Sequence, residues 1–323
     1  MKKLRSRIIS IVLTLTLVLS MTATPVSYCA AATKSSSKTT SSTTKTTTST
    51  SQKYTACKTY KAAAKQLRSN MVKRKRYTRV KYTFTSKTPK QLARNFSAKV
   101  YKQAVAHTGV PNEGDYLQWN NKGYTASWTL TRNTKTNKYT VSVEFDMNYR
   151  TTAKEESAVT NEVDRILTSL GLKTSSTNDN KTDKKKNTRD DYAKIRAIYD
   201  YVITHVTYSP IGESDPKNFT AYKAAIQGEA VCQGYALLIY RLMLETGIPC
   251  RIITADALDG LTGHAWNIVK LDDKWYNIDA TWDSKGYDHR YFLCGTQDFG
   301  HELFPLIAEN VSNYTIEPYR YIK

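Results

Sequence analysis

No two of the five cysteines in this 323-residue chain lie closer than eighteen positions apart, so no Cys-x-x-Cys pair exists to hold zinc or run a dithiol couple. The five histidines, His107, His205, His264, His289 and His301, never fall in a His-x-x-x-His spacing, and no metal site is expected. No Gly-x-x-x-x-Gly-Lys or Gly-x-Gly-x-x-Gly loop is present, which removes the common phosphate-cradling folds, and no cofactor is implied. Paired carboxylates of the glycosidase kind find no counterpart either. The longest apolar stretch, Ile8 to Leu19, is interrupted by Ser10, Thr14 and Thr16 and is too short to span a bilayer.

That stretch follows Lys2, Lys3, Arg5 and Arg7 and precedes Ala30-Ala31-Ala32, the order of an export signal. Residues 1–32 are therefore expected to be removed, leaving a secreted chain with no membrane span. Removing four basic residues and no acidic ones lowers the formal charge of +20 to +16. Such a protein is drawn to anionic surfaces, and an anionic cell-wall polymer is the expected partner of its basic N-terminal region. The run Lys73-Arg74-Lys75-Arg76, continued by Arg79 and Lys81, concentrates that charge. It lacks the Gly and aromatic interleaving of an RNA-binding strand, so nucleic acid is not expected. Four cysteines remain, Cys57, Cys232, Cys250 and Cys294, too few for a disulfide scaffold.

Composition divides the rest. Residues 33–53 are almost pure Ser, Thr and Lys and read as a flexible stalk, and residues 173–189 form a second polar linker. Between them, residues 54–172 read as a small α+β accessory domain. Its expected elements are helices over 56–72, 88–107 and 152–170, a strand over 79–85, and a hairpin of strands over 124–131 and 138–149. Residues 190–323 form the second domain, opening with a helix capped by Asp190 or Asp191.

Three segments of that domain carry chemistry: GEAVCQGYA around Cys232, TGHAWN around His264 and NIDATWD around Asp279. From Cys232 the pattern turns helical (Ala236, Leu237, Ile239, Tyr240, Leu242, Met243) and stops at Gly247 and Pro249. Cys232 thus stands at a helix N-terminus, where unpaired N–H groups and the dipole favour thiolate. Gly234 in the first turn costs about 1 kcal/mol relative to Ala. Close approach of substrate or of the histidine strand would explain it. His264 to Leu271 and Lys274 to Thr281 alternate around Asp272-Asp273, a two-residue turn. Leu271 then faces Lys274, and counting outward puts His264, Trp266, Asp279 and Thr281 on one face. His264 and Asp279 become diagonal neighbours within reach of a hydrogen bond. Asp283 is the rival carboxylate. Trp266 and Trp282 are candidates to line a groove. For an oxyanion, the Cys232 N–H is one donor and Gln227 or Tyr208 the candidate second.

These segments resemble the core of the transglutaminase-like superfamily, the papain-like fold shared by transglutaminases and many bacterial cysteine proteases, over about Asp190 to Phe299. The resemblance implies an α+β architecture in which a helix carrying Cys packs on an antiparallel sheet carrying His and Asp. It also implies acyl transfer through a thioester by a Cys232–His264–Asp279 triad, with hydrolysis of peptide or amide bonds ranked first. Cross-linking of glutamine to an amine is the alternative outcome of the same triad, and a non-catalytic cell-surface binding protein is the alternative of another class. A protein or peptide substrate follows from the first two. No acidic clusters resemble the calcium sites of animal transglutaminases.

Overall fold

A computed structural model describes residues 53–173, 190–256, 263–296, 299 and 318–319. The expected signal segment, most of the Ser/Thr stalk and most of the second linker lie outside the described residues.

The first region begins with strand β1 (Thr55–Cys57) and helix α1 (Tyr60–Val72), followed by strand β2 (Tyr77–Phe84) and helix α2 (Pro89–Ala104). A short helix α3 (Asp115–Trp119), strands β3 (Asn121–Asn133) and β4 (Lys138–Tyr149), and helix α4 (Ala153–Ser169) complete it. The helix expected from residue 56 starts later. The Thr59 hydroxyl accepts the Ala62 N–H as its N-cap, and Thr55–Cys57 pairs in parallel with β2 instead. The sheet order is β1-β2-β4-β3, and the β3–β4 turn is closed by Asn133, whose side-chain oxygen accepts the N–H groups of Lys135 and Thr136. Alternation along β4 buries Val141, Val143, Phe145 and Met147 against α1 and α2.

The second region runs α5 (Asp191–His205, capped by Asp190), β5 (Thr207–Tyr208), two 3-10 turns (Gly212–Ser214 and Pro216–Phe219), α6 (Ala221–Gln227) and β6 (Glu229–Ala230). Helix α7 (Cys232–Glu245), strands β7 (Cys250–Asp256), β8 (Gly263–Leu271) and β9 (Lys274–Ile278), and the short helix α8 (Ala280–Asp283) follow. The fold is mixed α and β. Its centre is α7, buried on every face from Gly234 to Met243, as a helix apolar all round must be. Sheet β7-β8-β9 covers one side of it and α5 and α6 pack around the rest.

The two regions share that core. Val159, Val163, Ile166 and Leu167 of α4, with Tyr116 of α3, belong to the same apolar cluster as α5, α7 and the β7–β9 sheet. Polar ties reinforce the joint. Asp115, buried to 4%, accepts two bonds from Arg251 and one from the Ile252 N–H. Glu156 pairs with Arg74 at 2.8 Å, accepts from Tyr116 Oη and Asn120, and faces the buried Arg241 of α7. Buried ions persist when each charge finds such partners. The arginines of the basic run 73–81 are consequently matched by acids, while Lys73, Lys75 and Lys81 remain its exposed charges. Arg74 is spent on Glu156, Arg76 binds Asp146 through two bonds, and Arg79 pairs with Glu144.

Candidate active site

Helix α7 places Cys232 at its first position. The N-cap residue, Val231, has no side chain able to cap, so the first-turn N–H groups are not consumed by a side-chain acceptor there. The Val231 N–H donates to the Asn218 carbonyl at 3.0 Å, which pins the helix start to the second 3-10 turn. Gly234 is required by this contact. A Cβ there would stand 2.6 Å from the Asn218 oxygen, 2.6 Å from Ala230 Cβ and 3.1 Å from the Thr220 oxygen. The close approach expected from the sequence is real, but the approaching groups are Asn218, Thr220 and Ala230, not substrate or the histidine strand. Cys232 is half-buried, whereas Cys57, Cys250 and Cys294 are buried, and all four are free thiols.

The hairpin register is the expected one. Leu271 faces Lys274 and the ladder runs to Asn267 opposite Ile278, with Asp272 and Asp273 at φ of 49° and 62°. Strand β9 ends three residues earlier than expected, at Ile278, and Thr281 belongs to α8. Asp279 sits at the junction, buried to 1%. Its N–H donates to the Tyr291 carbonyl at 3.0 Å. One carboxylate oxygen, Oδ1, accepts the Thr281 and Trp282 N–H groups as the N-cap of α8, and the other, Oδ2, accepts from His264 Nε2 at 2.6 Å. The cap role and the histidine role are therefore carried by one side chain, each oxygen serving one.

His264 lies on β8, is 8% exposed, bonds through its imidazole to Asp279, and feels Cys232 as a second group that favours its charged form. With Nε2 taken by Asp279, Nδ1 is the nitrogen left for the thiol. Burial works against the charged imidazole, but the Asp279 carboxylate and Cys232 outweigh it, and the His264 pKa is pushed up to about 10. The imidazolium is thus the resting form near neutrality. Burial pushes the Cys250 and Cys57 thiols upward, which makes them poor nucleophiles.

Both tryptophans flank the imidazole, Trp282 at 5.3 Å and Trp266 at 5.8 Å between ring centroids, each nearly parallel to it. Trp266 is not a groove residue. It is 1% exposed, its indole N–H donates to Asn277 Oδ1 at 3.1 Å, and it packs with Ile253, Ile268 and Phe299. Trp282 remains half-buried beside the site. Gln227 is exposed at the end of α6. Tyr208, 44% exposed, lies on β5 opposite Ala230, two residues before Cys232, so of the two oxyanion candidates it is the one tied by a ladder to the cysteine segment.

The rival Asp283 faces elsewhere. It is fully buried, accepts from Tyr199 Oη at 2.6 Å and from the Tyr291 N–H at 3.0 Å, and clamps residues 288–291 against α5. Burial raises its pKa to about 6 despite these donors. Since Tyr291 in turn holds the Asp279 N–H, Asp283 supports the residue it was weighed against. Tyr199 escaped sequence reading because a tyrosine on an apolar helix face carries no mark of a partner 84 residues away, and Tyr291 because it acts through its backbone, in a turn outside any helix. Among the described residues, no group of three His, Cys, Asp or Glu side chains could hold a metal ion, and no helix is long and apolar enough to cross a membrane.

Residues 178–280 match the family model of the transglutaminase-like superfamily. The chain is similar to the kyphoscoliosis peptidase of Homo sapiens and to that of Mus musculus, 27% identical to each over 138 aligned residues. The match takes in 36% of this chain and only 21% of each relative. Among solved structures it resembles a crystal structure of a TGase, with 16% identity and a TM-score of 0.32, covering 64% of this chain and 51% of that one.

Proposed function

We propose that this chain, which carries a transglutaminase-like core over residues 178–280, is a secreted cysteine enzyme that hydrolyses peptide or amide bonds with Cys232, His264 and Asp279. The observation that supports the reading is the pairing of a buried imidazole, His264, with a buried carboxylate, Asp279, at 2.6 Å. The half-buried thiol of Cys232, at a helix N-terminus, adds to the stabilisation of the imidazole's charged form. Such an arrangement fixes the imidazole tautomer and holds its positive form beside a thiolate.

In the first half-reaction the Cys232 thiolate attacks the substrate carbonyl, forming the C–S bond and a tetrahedral oxyanion. The Cys232 N–H, and Tyr208 as a candidate second donor, face the developing charge. Collapse breaks the C–N bond, and His264 delivers its proton to the departing amine, leaving a thioester. In the second, water attacks the thioester, His264 takes its proton, and the acid leaves as the thiolate is restored. A primary amine in place of water would give a cross-linked amide by the same steps. Asp279 transfers no proton; it orients the ring and supports its charge.

Export rests on the N-terminal sequence pattern, and an anionic envelope polymer as partner rests on the +16 that remains of the full chain's +20 once Lys2, Lys3, Arg5 and Arg7 are removed. Incubating the mature protein with a peptide library, with and without a primary amine, and reading products by mass spectrometry tests the chemistry. Hydrolysis products that vanish in Cys232→Ala are expected. Amine adducts dominating over acids would reverse the order of the two outcomes. Turnover surviving in folded Cys232→Ala would refute the cysteine mechanism.

A further inference from the structure

The first lysine of the basic run 73–81 closes a groove whose other lysines come from α1. Between α1 and the C-terminal end of α2 lies a cavity of about 780 Å³. Lys61, Lys65 and Lys73 line it, all exposed and with no ion pair among the described residues, on a floor that includes Ala64, Val72 and Ala106. Lys61 and Lys65 of α1 and Lys73 at its C-cap follow one slanting row, with Ser69 at the third place. At about 1.5 Å per residue they span roughly 18 Å, with a first step of about 6 Å. One carboxylate, Glu113, also lines the cavity, and it is matched by Arg68 at 3.4 Å.

The chemistry of this lining is selective. Arg68, the cavity's single guanidinium, is turned inward. Its Nε donates to the Ala104 carbonyl and its Nη2 to the carbonyls of Gln103 and Ala106, which also satisfies the end of α2. No planar fork is left for a carboxylate to grip in two places, so the groove offers only the point charges of lysine, which suit phosphate. Among the described residues no aromatic ring lines it, so a nucleic-acid base finds no stacking platform there. The apolar floor and lysine stems can cover short organic linkers between phosphates.

We propose that the α1–α2 groove binds a linear polyol-phosphate polymer, with Lys61, Lys65 and Lys73 each holding one phosphate of the chain. This deepens the partner half of the proposed function and rests on none of its catalytic half, since the groove's residues lie on elements other than those carrying Cys232, His264 and Asp279.

The test is binding of the full mature chain to a fluorescent glycerol-phosphate oligomer, titrated from low to physiological salt. Oligo-glutamate and single-stranded DNA of equal charge serve as competitors. Lys61→Gln and Lys65→Gln exchange good helix formers on an exposed face, and Lys73→Gln falls at the exposed C-cap, so the fold is kept. Each is expected to weaken binding about fivefold and to flatten the salt dependence by roughly one counterion. Lys75→Gln and Lys81→Gln remove the same charge outside the groove and should leave affinity within about twofold. Cys232→Ala should bind like the parent even though it is inactive, which separates failure of this site from failure of the enzyme. Equal losses in the groove and control variants would reduce the effect to net charge and overturn the proposal. So would tighter binding of oligo-glutamate or DNA, or no binding of the glycerol-phosphate oligomer.

Discussion

Replacing Gly234 by Ala sets two magnitudes against each other at the one place where the catalytic helix meets its support. Propensity favours the change, because Ala in a helix interior is about 1 kcal/mol better than Gly. Packing opposes it. The added methyl would lie 2.6 Å from both the Asn218 carbonyl oxygen and Ala230 Cβ, and 3.1 Å from the Thr220 oxygen. Carbon contacts settle near 3.5–4.0 Å, so the start of α7 must retreat by about 1 Å. None of the opposing atoms is the tip of a flexible side chain. Retreat also lengthens the 3.0 Å bond from the Val231 N–H to Asn218, a bond worth roughly 1 kcal/mol. Overpacking of this kind costs about 1–3 kcal/mol, so the variant should lose roughly 1–3 kcal/mol net of its propensity gain. Because Cys232 rides on the displaced turn, turnover should fall further, on the order of a hundredfold for a 1 Å misplacement. Urea unfolding and steady-state turnover on one peptide amide measure both. A variant more stable by about 1 kcal/mol with unchanged turnover would refute the reasoning, since propensity would then have decided the site.

Asp279→Asn should lower turnover by about 10³–10⁴-fold, less than Cys232→Ala or His264→Ala, because the ring loses its orienting acceptor but keeps its nucleophile. It should also flatten a pH dependence of stability. The His264 pKa rises on folding from 6.5 to about 10, so its stabilising contribution is complete below pH 6.5 and lost as pH climbs through 10. Urea midpoints at pH 6 and 10 in both proteins test this, and an equally steep loss in the variant would contradict it. Asp283→Asn should spare more activity than Asp279→Asn. Asp283 is raised from 3.8 to about 6, so acidification through pH 6 favours the folded parent at this group, and the variant should lack that increment. If Asp283→Asn proved the more damaging of the two to turnover, the Asp279 assignment would fail.

The parts of the site that were legible in the sequence are those governed by local geometry. A two-residue Asp272-Asp273 turn admits one register, and that register brings His264 and Asp279 together. The apolar run after Cys232 is long enough to be a buried helix and nothing else. What could not be read depends on partners distant in the chain. Helix α3 is five residues long and held by Asp115 reaching Arg251, 136 residues on. Strand β7 follows Pro249 as an ordinary apolar stretch until β8 pairs with it. The arginines of the run 73–81 look free in sequence because their acceptors, Asp146, Glu144 and Glu156, lie 65 to 82 positions away. Trp266 and Trp282 look alike as indoles beside a histidine, and only burial tells the packed one from the half-open one.

The central claim is that His264, held by Asp279, activates Cys232 as the nucleophile. Alkylation of the native protein by iodoacetamide at neutral pH, followed site by site by mass spectrometry, measures it directly. Cys232 should react far faster than Cys57, Cys250 and Cys294, and its rate should collapse in His264→Ala with the fold intact. A Cys232 rate unchanged by His264→Ala would show that exposure alone makes this thiol reactive, and would contradict the account.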